Sequence, residues 1–145
     1  PRRLQNTSYK IQIEESKYYS ADAILLIAKI LTKKKLTELY NYSLELGLDV
    51  LIEIENKNEL KKISEIDAKL IGINNRNLRE QKIDINKSIE LAKLLENIVI
   101  VSESGVNKKN IKSIKQSSNI SSFLIGGSIL NQNDKITYIN NLYKS

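Results

Sequence analysis

No cysteine and no histidine occur among the 145 residues. The first absence removes a disulfide framework and any thiolate zinc site. The second removes a His-centred catalytic triad and the usual transition-metal ligand sets. Long apolar runs are missing too: the longest, Ala23 to Ala28, is far shorter than a membrane helix requires. The opening stretch PRRLQNTSYK carries no apolar core of the kind that secretory signals have. Taken together, these absences lead to the expectation of a cytoplasmic protein without membrane association.

What is present is a globular composition, 41% hydrophobic, in a chain long enough for one domain with a core and too short for two ordinary ones. The formal charge is +6. The lysines fall in short groups such as TKKKL and NKKNIKSIK, interspersed with Asn and Ser on separate helical segments. That scatter fits a solvated surface better than a nucleic-acid face, and the sign also suits a phosphorylated small substrate.

Five short apolar segments recur: Ala23–Ile27, Val50–Ile54, Leu70–Ile73, Ile98–Val101 and Phe123–Ile125. They scarcely alternate, as strands buried on both faces should not. Helical patterns lie between them. Thr32 reads as an N-cap, followed by a stripe of Leu36, Leu39, Tyr40 and Leu44, with Gly47 as the stop. Asn56 and Glu59 have capping-box spacing ahead of Leu60 and Ile63. Ile85, Ile89, Ala92 and Leu95 form a third stripe, Ile111 and Ile114 a fourth, and Ile136, Ile139 and Tyr143 a closing helix. A helix followed by five strand–helix units implies a parallel sheet with right-handed crossovers. An open doubly wound sheet and part of a (β/α)8 barrel both fit.

In either architecture ligands bind at the C-terminal ends of the strands, and those ends carry the unusual residues. Glu53 and Glu55 share a side of the second strand by alternation. Asn74, Asn75 and Arg76 close the third, where an apolar run breaks into amides and a guanidinium. Ser102, Glu103, Ser104 and Gly105 close the fourth, and Gly126, Gly127 and Ser128 the fifth. A Gly-Gly-Ser turn entering a helix can cradle phosphate on its backbone N–H groups. Neither a Walker motif nor a dinucleotide fingerprint is present.

The segments ADAILLIAKIL, LGLDVLIEIEN, IGINNRNL, VSESGV and FLIGGSIL resemble, in order and spacing, strand segments of the indole-3-glycerol phosphate synthase family. The resemblance runs from about Ile11 to the C-terminus, and it selects the barrel. It implies a partial TIM (β/α)8 barrel: five parallel βα units, strands four to eight, preceded by the third helix, in a single incomplete domain over residues 1–145. It implies a carbon–carbon lyase of tryptophan biosynthesis, a carboxy-lyase with neither metal nor organic cofactor. Such an enzyme closes the indole ring of 1-(2-carboxyphenylamino)-1-deoxyribulose 5-phosphate with loss of carbon dioxide and water.

Position by position, the resemblance gives Glu53 the role of general base, with a pKa raised in a water-poor pocket. Asn74 holds the substrate, and Glu103 hydrogen-bonds the sugar-derived chain. Arg76 and Ser104 bind substrate, while Gly105, Gly126 and Gly127 join Ser104 in gripping the phosphate. The chain also departs from the family. The lysine that serves as general acid at the end of the third strand has no counterpart in PRRLQNTSYK, and nothing around Lys10 identifies it as the acid. Asn77 and Gly127 stand where relatives often carry other residues. The chain alone is therefore expected to lack synthase activity and to associate through open barrel edges or with a missing N-terminal segment. Two alternatives remain: another phosphate-binding barrel such as a phosphoribosylanthranilate isomerase, or a non-catalytic module joined through its sheet edges.

Overall fold

A computed structural model describes residues 2–77 and 79–144, with side chains from Tyr9 onward; Leu78 of the NNRNL segment lies outside the described residues. Helix α1 (Arg2–Tyr18) precedes β1 (Ala23–Ile27), α2 (Lys33–Glu45), β2 (Asp49–Ile54), α3 (Lys57–Ile63), β3 (Leu70–Asn74) and α4 (Asn86–Ala92). Then come β4 (Val99–Glu103), α5 (Ile111–Ser117), β5 (Ser122–Leu124), α6 (Gly127–Leu130) and α7 (Lys135–Tyr143). The segment after β5 is thus split into two helices.

All strand pairs are parallel and the spatial order is β1-β2-β3-β4-β5, the order of the chain. This excludes the doubly wound alternative, whose strand order must reverse at a switch point. With no reversal, right-handed crossovers put every helix on one side of the sheet. The chain is a five-stranded arc of a (β/α) barrel.

The helix-facing side is closed. Leu26, Val50, Ile52, Ile54, Ile71, Ile73 and Ile100 are buried there against Leu36 and Leu39 of α2, Ile63 of α3, Leu91 of α4 and Ile114 of α5. The other side is open among the described residues: Leu25 is 41% exposed, Val99 54% and Leu124 55%. Burial therefore alternates along the strands, as the eBiBiB order of β2 records. Strands apolar on both faces were expected to be buried on both; here only one face is covered.

Local chemistry explains the element boundaries. The Thr32 hydroxyl accepts from Lys35 N at 3.3 Å. After α2, Gly47 N donates to Leu44 O and Leu48 N to Ser43 O, the paired bonds of a Schellman stop. Asn56 Oδ1 accepts from Asn58 N and Glu59 N. Glu59 answers with a bond from Glu55 N rather than from the cap's own backbone. Leu36, Leu39, Tyr40, Ala92 and Leu95 are buried as the sequence stripes predict, and two helices depart at single positions. In α2 Ser43 is buried and Leu44 exposed; in α4 Ser88 and Leu91 are buried while Ile89 is only half-buried. In α7 Leu142 is buried, whereas Ile136 and Tyr143 are exposed because no described element packs over them.

Candidate functional site

The strand register decides which side chains meet. Glu53 pairs with Gly72, Gly72 with Val101, and Asn74 with Glu103, so these residues share the open face. At the C-terminal end of that face, Asn74 Nδ2 donates to Glu53 Oε1 at 3.1 Å. Asn74 Oδ1 accepts from Arg76 N at 2.9 Å. Both ends of the amide are engaged, which fixes its orientation.

Glu103 faces Glu53 across this mouth. Its side chain is buried, and Oε1 has no hydrogen-bond partner. Burial, with the charge of Glu53 as the lesser cause, raises its pKa to about 7. The sequence reading put the raised pKa on Glu53; the structure assigns one to Glu103. Gly72 makes the room, since a Cβ there would come within 2.0 Å of Glu103 Oε1. A strand residue with any side chain would push the carboxyl out of its place.

Beyond Glu103 the chain turns sharply. Ser104 has φ 62° and Gly105 φ 78°, the left-handed region that costs a non-glycine residue roughly 1–3 kcal/mol. Gly105 O accepts from Asn107 Nδ2 at 3.0 Å and Asn110 Nδ2 at 2.9 Å. Ile83 packs directly over Gly105. Ser128 Oγ donates to Val106 O at 2.9 Å, tying the last loop to this one. Between the two loops lies a cavity of about 490 Å³, lined by Arg76, Ile83, Glu103, Ser104, Gly105, Gly126 and Gly127 among others. Gly126 and Gly127 leave open space where a Cβ would stand.

Every residue singled out as a site candidate thus gathers at one end of the sheet: Glu53, Asn74 and Glu103 on the open face, with Arg76, Ser104, Gly105, Gly126 and Gly127 around the adjoining cavity. Arg76 is held loosely, its Nη1 lying 3.4 Å from Gln81 O. Glu55 does not join the carboxylate pair. The strand ends at Ile54, and Glu55 binds Lys29 at 2.6 Å and Lys87 at 3.6 Å. Lys10 is engaged elsewhere, 3.2 Å from Glu38 and stacked 4.6 Å over the Tyr42 ring. Sequence reasoning missed the part of Gly72, a glycine inside a strand and so a signal for close approach. It also missed Ser88, whose burial a stripe of apolar residues could not reveal.

The profile of indole-3-glycerol phosphate synthase matches residues 8–142. The indole-3-glycerol phosphate synthase of Aquifex aeolicus (strain VF5) is 41% identical over 131 residues, which cover 88% of this chain and 51% of that protein. Tryptophan biosynthesis protein TrpCF of Buchnera aphidicola subsp. Schizaphis graminum (strain Sg) is 43% identical over 136 residues, covering 93% of this chain and 29% of that protein. The chain thus spans about half, or less, of the length of these relatives. Among solved structures, 3-hexulose-6-phosphate synthase from Salmonella typhimurium superposes with a TM-score of 0.79 at 12% identity, over 92% of this chain and 65% of that one. So distant a likeness speaks for the fold alone, and agrees with the barrel arc. The sequence profile, the identities and the strand-end constellation lead to one conclusion: the chain belongs to the indole-3-glycerol phosphate synthase family.

Proposed function

We propose that this chain carries the carboxylate and phosphate-binding half of an indole-3-glycerol phosphate synthase site. Its substrate would be 1-(2-carboxyphenylamino)-1-deoxyribulose 5-phosphate, converted with loss of carbon dioxide and water in cytoplasmic tryptophan biosynthesis. The observation that carries the reading is the meeting of Glu53, Asn74 and Glu103 beside a glycine-lined cavity at one end of the strands.

In this reading Glu53 takes the proton released as the ring forms, and Asn74, held at both ends, aligns the substrate against it. Glu103, with a pKa near 7, is divided between acid and carboxylate at neutral pH. It can therefore donate a hydrogen bond to the sugar-derived hydroxyls or accept one. The Ser104–Gly105 turn and the Gly126–Gly127 turn present backbone N–H groups to the phosphate. The guanidinium of Arg76 offers charge on the rim.

The open inner face bears on the partner. Leu25, Val99 and Leu124 lie exposed on a sheet whose two edge strands, β1 and β5, have no outer neighbour among the described residues. A closed barrel has no edges. We propose that residues equivalent to the family's N-terminal strands, with their acid lysine, cover this face in the active assembly. The phosphorylated substrate is then the ligand, with neither nucleic acid nor membrane as partner.

The test is an assay of indole-glycerol phosphate formation by the purified chain, alone and complemented with the N-terminal segment of the Aquifex relative. Phosphate binding without turnover alone, and turnover on complementation, are expected. Full turnover by the chain alone would overturn the half-site reading. Absence of both phosphate binding and complementation would overturn the function.

A further inference from the structure

Directly behind the mouth, on the covered side of the sheet, sits a polar cluster that no role above uses. Asn75, Ser88 and Ser102 are all fully buried. Ser88 Oγ donates to Asn75 Oδ1 at 2.7 Å. A serine hydroxyl has one proton, so the 2.7 Å contact between Ser88 Oγ and Ser102 Oγ must run from Ser102 to Ser88. Asn75 Nδ2 in turn donates to Ser102 Oγ at 3.0 Å. The three side chains form a closed ring of hydrogen bonds with a single direction.

The ring leaves one amide proton of Asn75 free to act outside it. Nδ2 lies 2.8 Å from Glu103 O and 3.2 Å from Ser104 O. Glu103 O also accepts from Asn75 N at 3.0 Å. Two donors from one residue thus converge on the carbonyl of Glu103, and the next carbonyl belongs to Ser104, which stands at φ 62°. A strained residue keeps such a conformation only where its surroundings over-determine it. Reversing the amide would set its oxygen against two carbonyls, so the ring also fixes which way the amide faces.

We infer that Asn75 is a positioning residue: its side-chain amide sets where Glu103 enters the open face and holds Ser104 in the left-handed turn that shapes the cavity. Ser88 and Ser102 lock that amide in place from α4 and β4. The inference rests on the reading of this mouth as the carboxylate and phosphate site, and it concerns the side of the sheet opposite to the one substrate would touch.

The test separates positioning from plain stability by following the Glu103 titration in carbon-13 glutamate-labelled chain by NMR. In the unmodified chain the Asn75 side-chain amide signals should move with the Glu103 midpoint and again on addition of inorganic phosphate. Asn75→Ala should lower the midpoint by about one pH unit or more as the carboxyl relaxes into solvent and away from Glu53. It should also weaken phosphate binding by about tenfold. Ser88→Ala removes one lock on the amide but leaves its donors to Glu103 and Ser104, so stability falls while the midpoint shifts by much less than in Asn75→Ala. Equal midpoint shifts in both variants, or Asn75 amide signals indifferent to Glu103 and phosphate in the unmodified chain, would overturn the inference. The unmodified-chain measurement decides even where Asn75→Ala does not fold. Failure of the unmodified chain to bind phosphate would count against the functional reading alone, because the Glu103 titration still reports on Asn75.

Discussion

Ser102 and Glu103 are neighbours on one strand, both buried, and their side chains meet opposite fates. Ser102 turns to the covered face and enters a ring in which every group is satisfied. Glu103 turns to the open face and keeps a carboxyl oxygen with no partner. Leaving a buried polar group unsatisfied costs roughly 1–3 kcal/mol. One face of the sheet is thus built for stability, and the other gives some up to keep a carboxyl poised between its acid and base forms.

The largest test of this division lies in the apolar residues of the two faces. Ile52 is fully buried among α2 and the neighbouring strands, so Ile52→Ala should cost about 3–4 kcal/mol. Val99 is 54% exposed on the open face, and Val99→Ala should change stability by less than about 0.5 kcal/mol. Urea unfolding of both variants measures the contrast. If a covering segment is added and bound, the Val99 variant should become costly, and a failure to do so would break the idea that this face is meant to be closed.

Next in size is the turn that leaves β4. At Gly105 a Cβ would meet Ile83 Cγ2 at 2.4 Å, and φ is 78°. Gly105→Ala combines left-handed strain with a displaced isoleucine, for a loss of about 2–3 kcal/mol. The same substitution should displace Ile83 from the cavity wall and weaken phosphate binding, which isothermal titration would report.

Much of this was legible in the sequence. Strand positions follow from short apolar runs, and Thr32, Gly47 and Asn56 mark helix ends by local bonds that depend on few neighbours. The candidate residues come together because strand ends gather in this architecture whatever their spacing in the chain. What was hidden depends on relations across strands. The burial of Ser88 in α4 could not be read from a stripe of apolar residues, since its partner is Asn75, 13 residues away. The raised pKa of Glu103 was hidden because the room beside it comes from Gly72, on a different strand. Burial on one face only follows from the incomplete barrel that the resemblance implies, not from the strands themselves, as the same apolar strand suits an open arc or a closed barrel.

Glu103 itself should make stability depend on pH in an unusual sense. Its folded pKa, about 7, lies above the ordinary glutamate value of 4.5. Between those two values the unfolded chain loses the proton and the folded chain keeps it, so stability falls as pH rises and the penalty is complete above about 7. Allowing for solvent at the open mouth, the loss is on the order of 1–2 kcal/mol. Glu103→Gln should remove that slope, leaving stability near pH 4.5 almost unchanged and raising it at pH 8. Urea unfolding at the two pH values checks this, and a slope that survives the substitution would assign it to another group.

Among the site variants the smallest stability change, and the sharpest on chemistry, is expected from Gly72→Ala. The added methyl overlaps the far end of a flexible side chain rather than backbone, so Glu103 can swing aside for less than about 1 kcal/mol. Swinging aside carries the carboxyl toward solvent and away from Glu53, removing both causes of its raised pKa. The Glu103 midpoint should therefore drop toward the ordinary carboxylate range while the unfolding midpoint measured near pH 4.5 hardly moves. A stable variant whose Glu103 still titrates near 7 would mean that the missing Cβ on β3 is not what lets this carboxyl sit unpartnered on the open face.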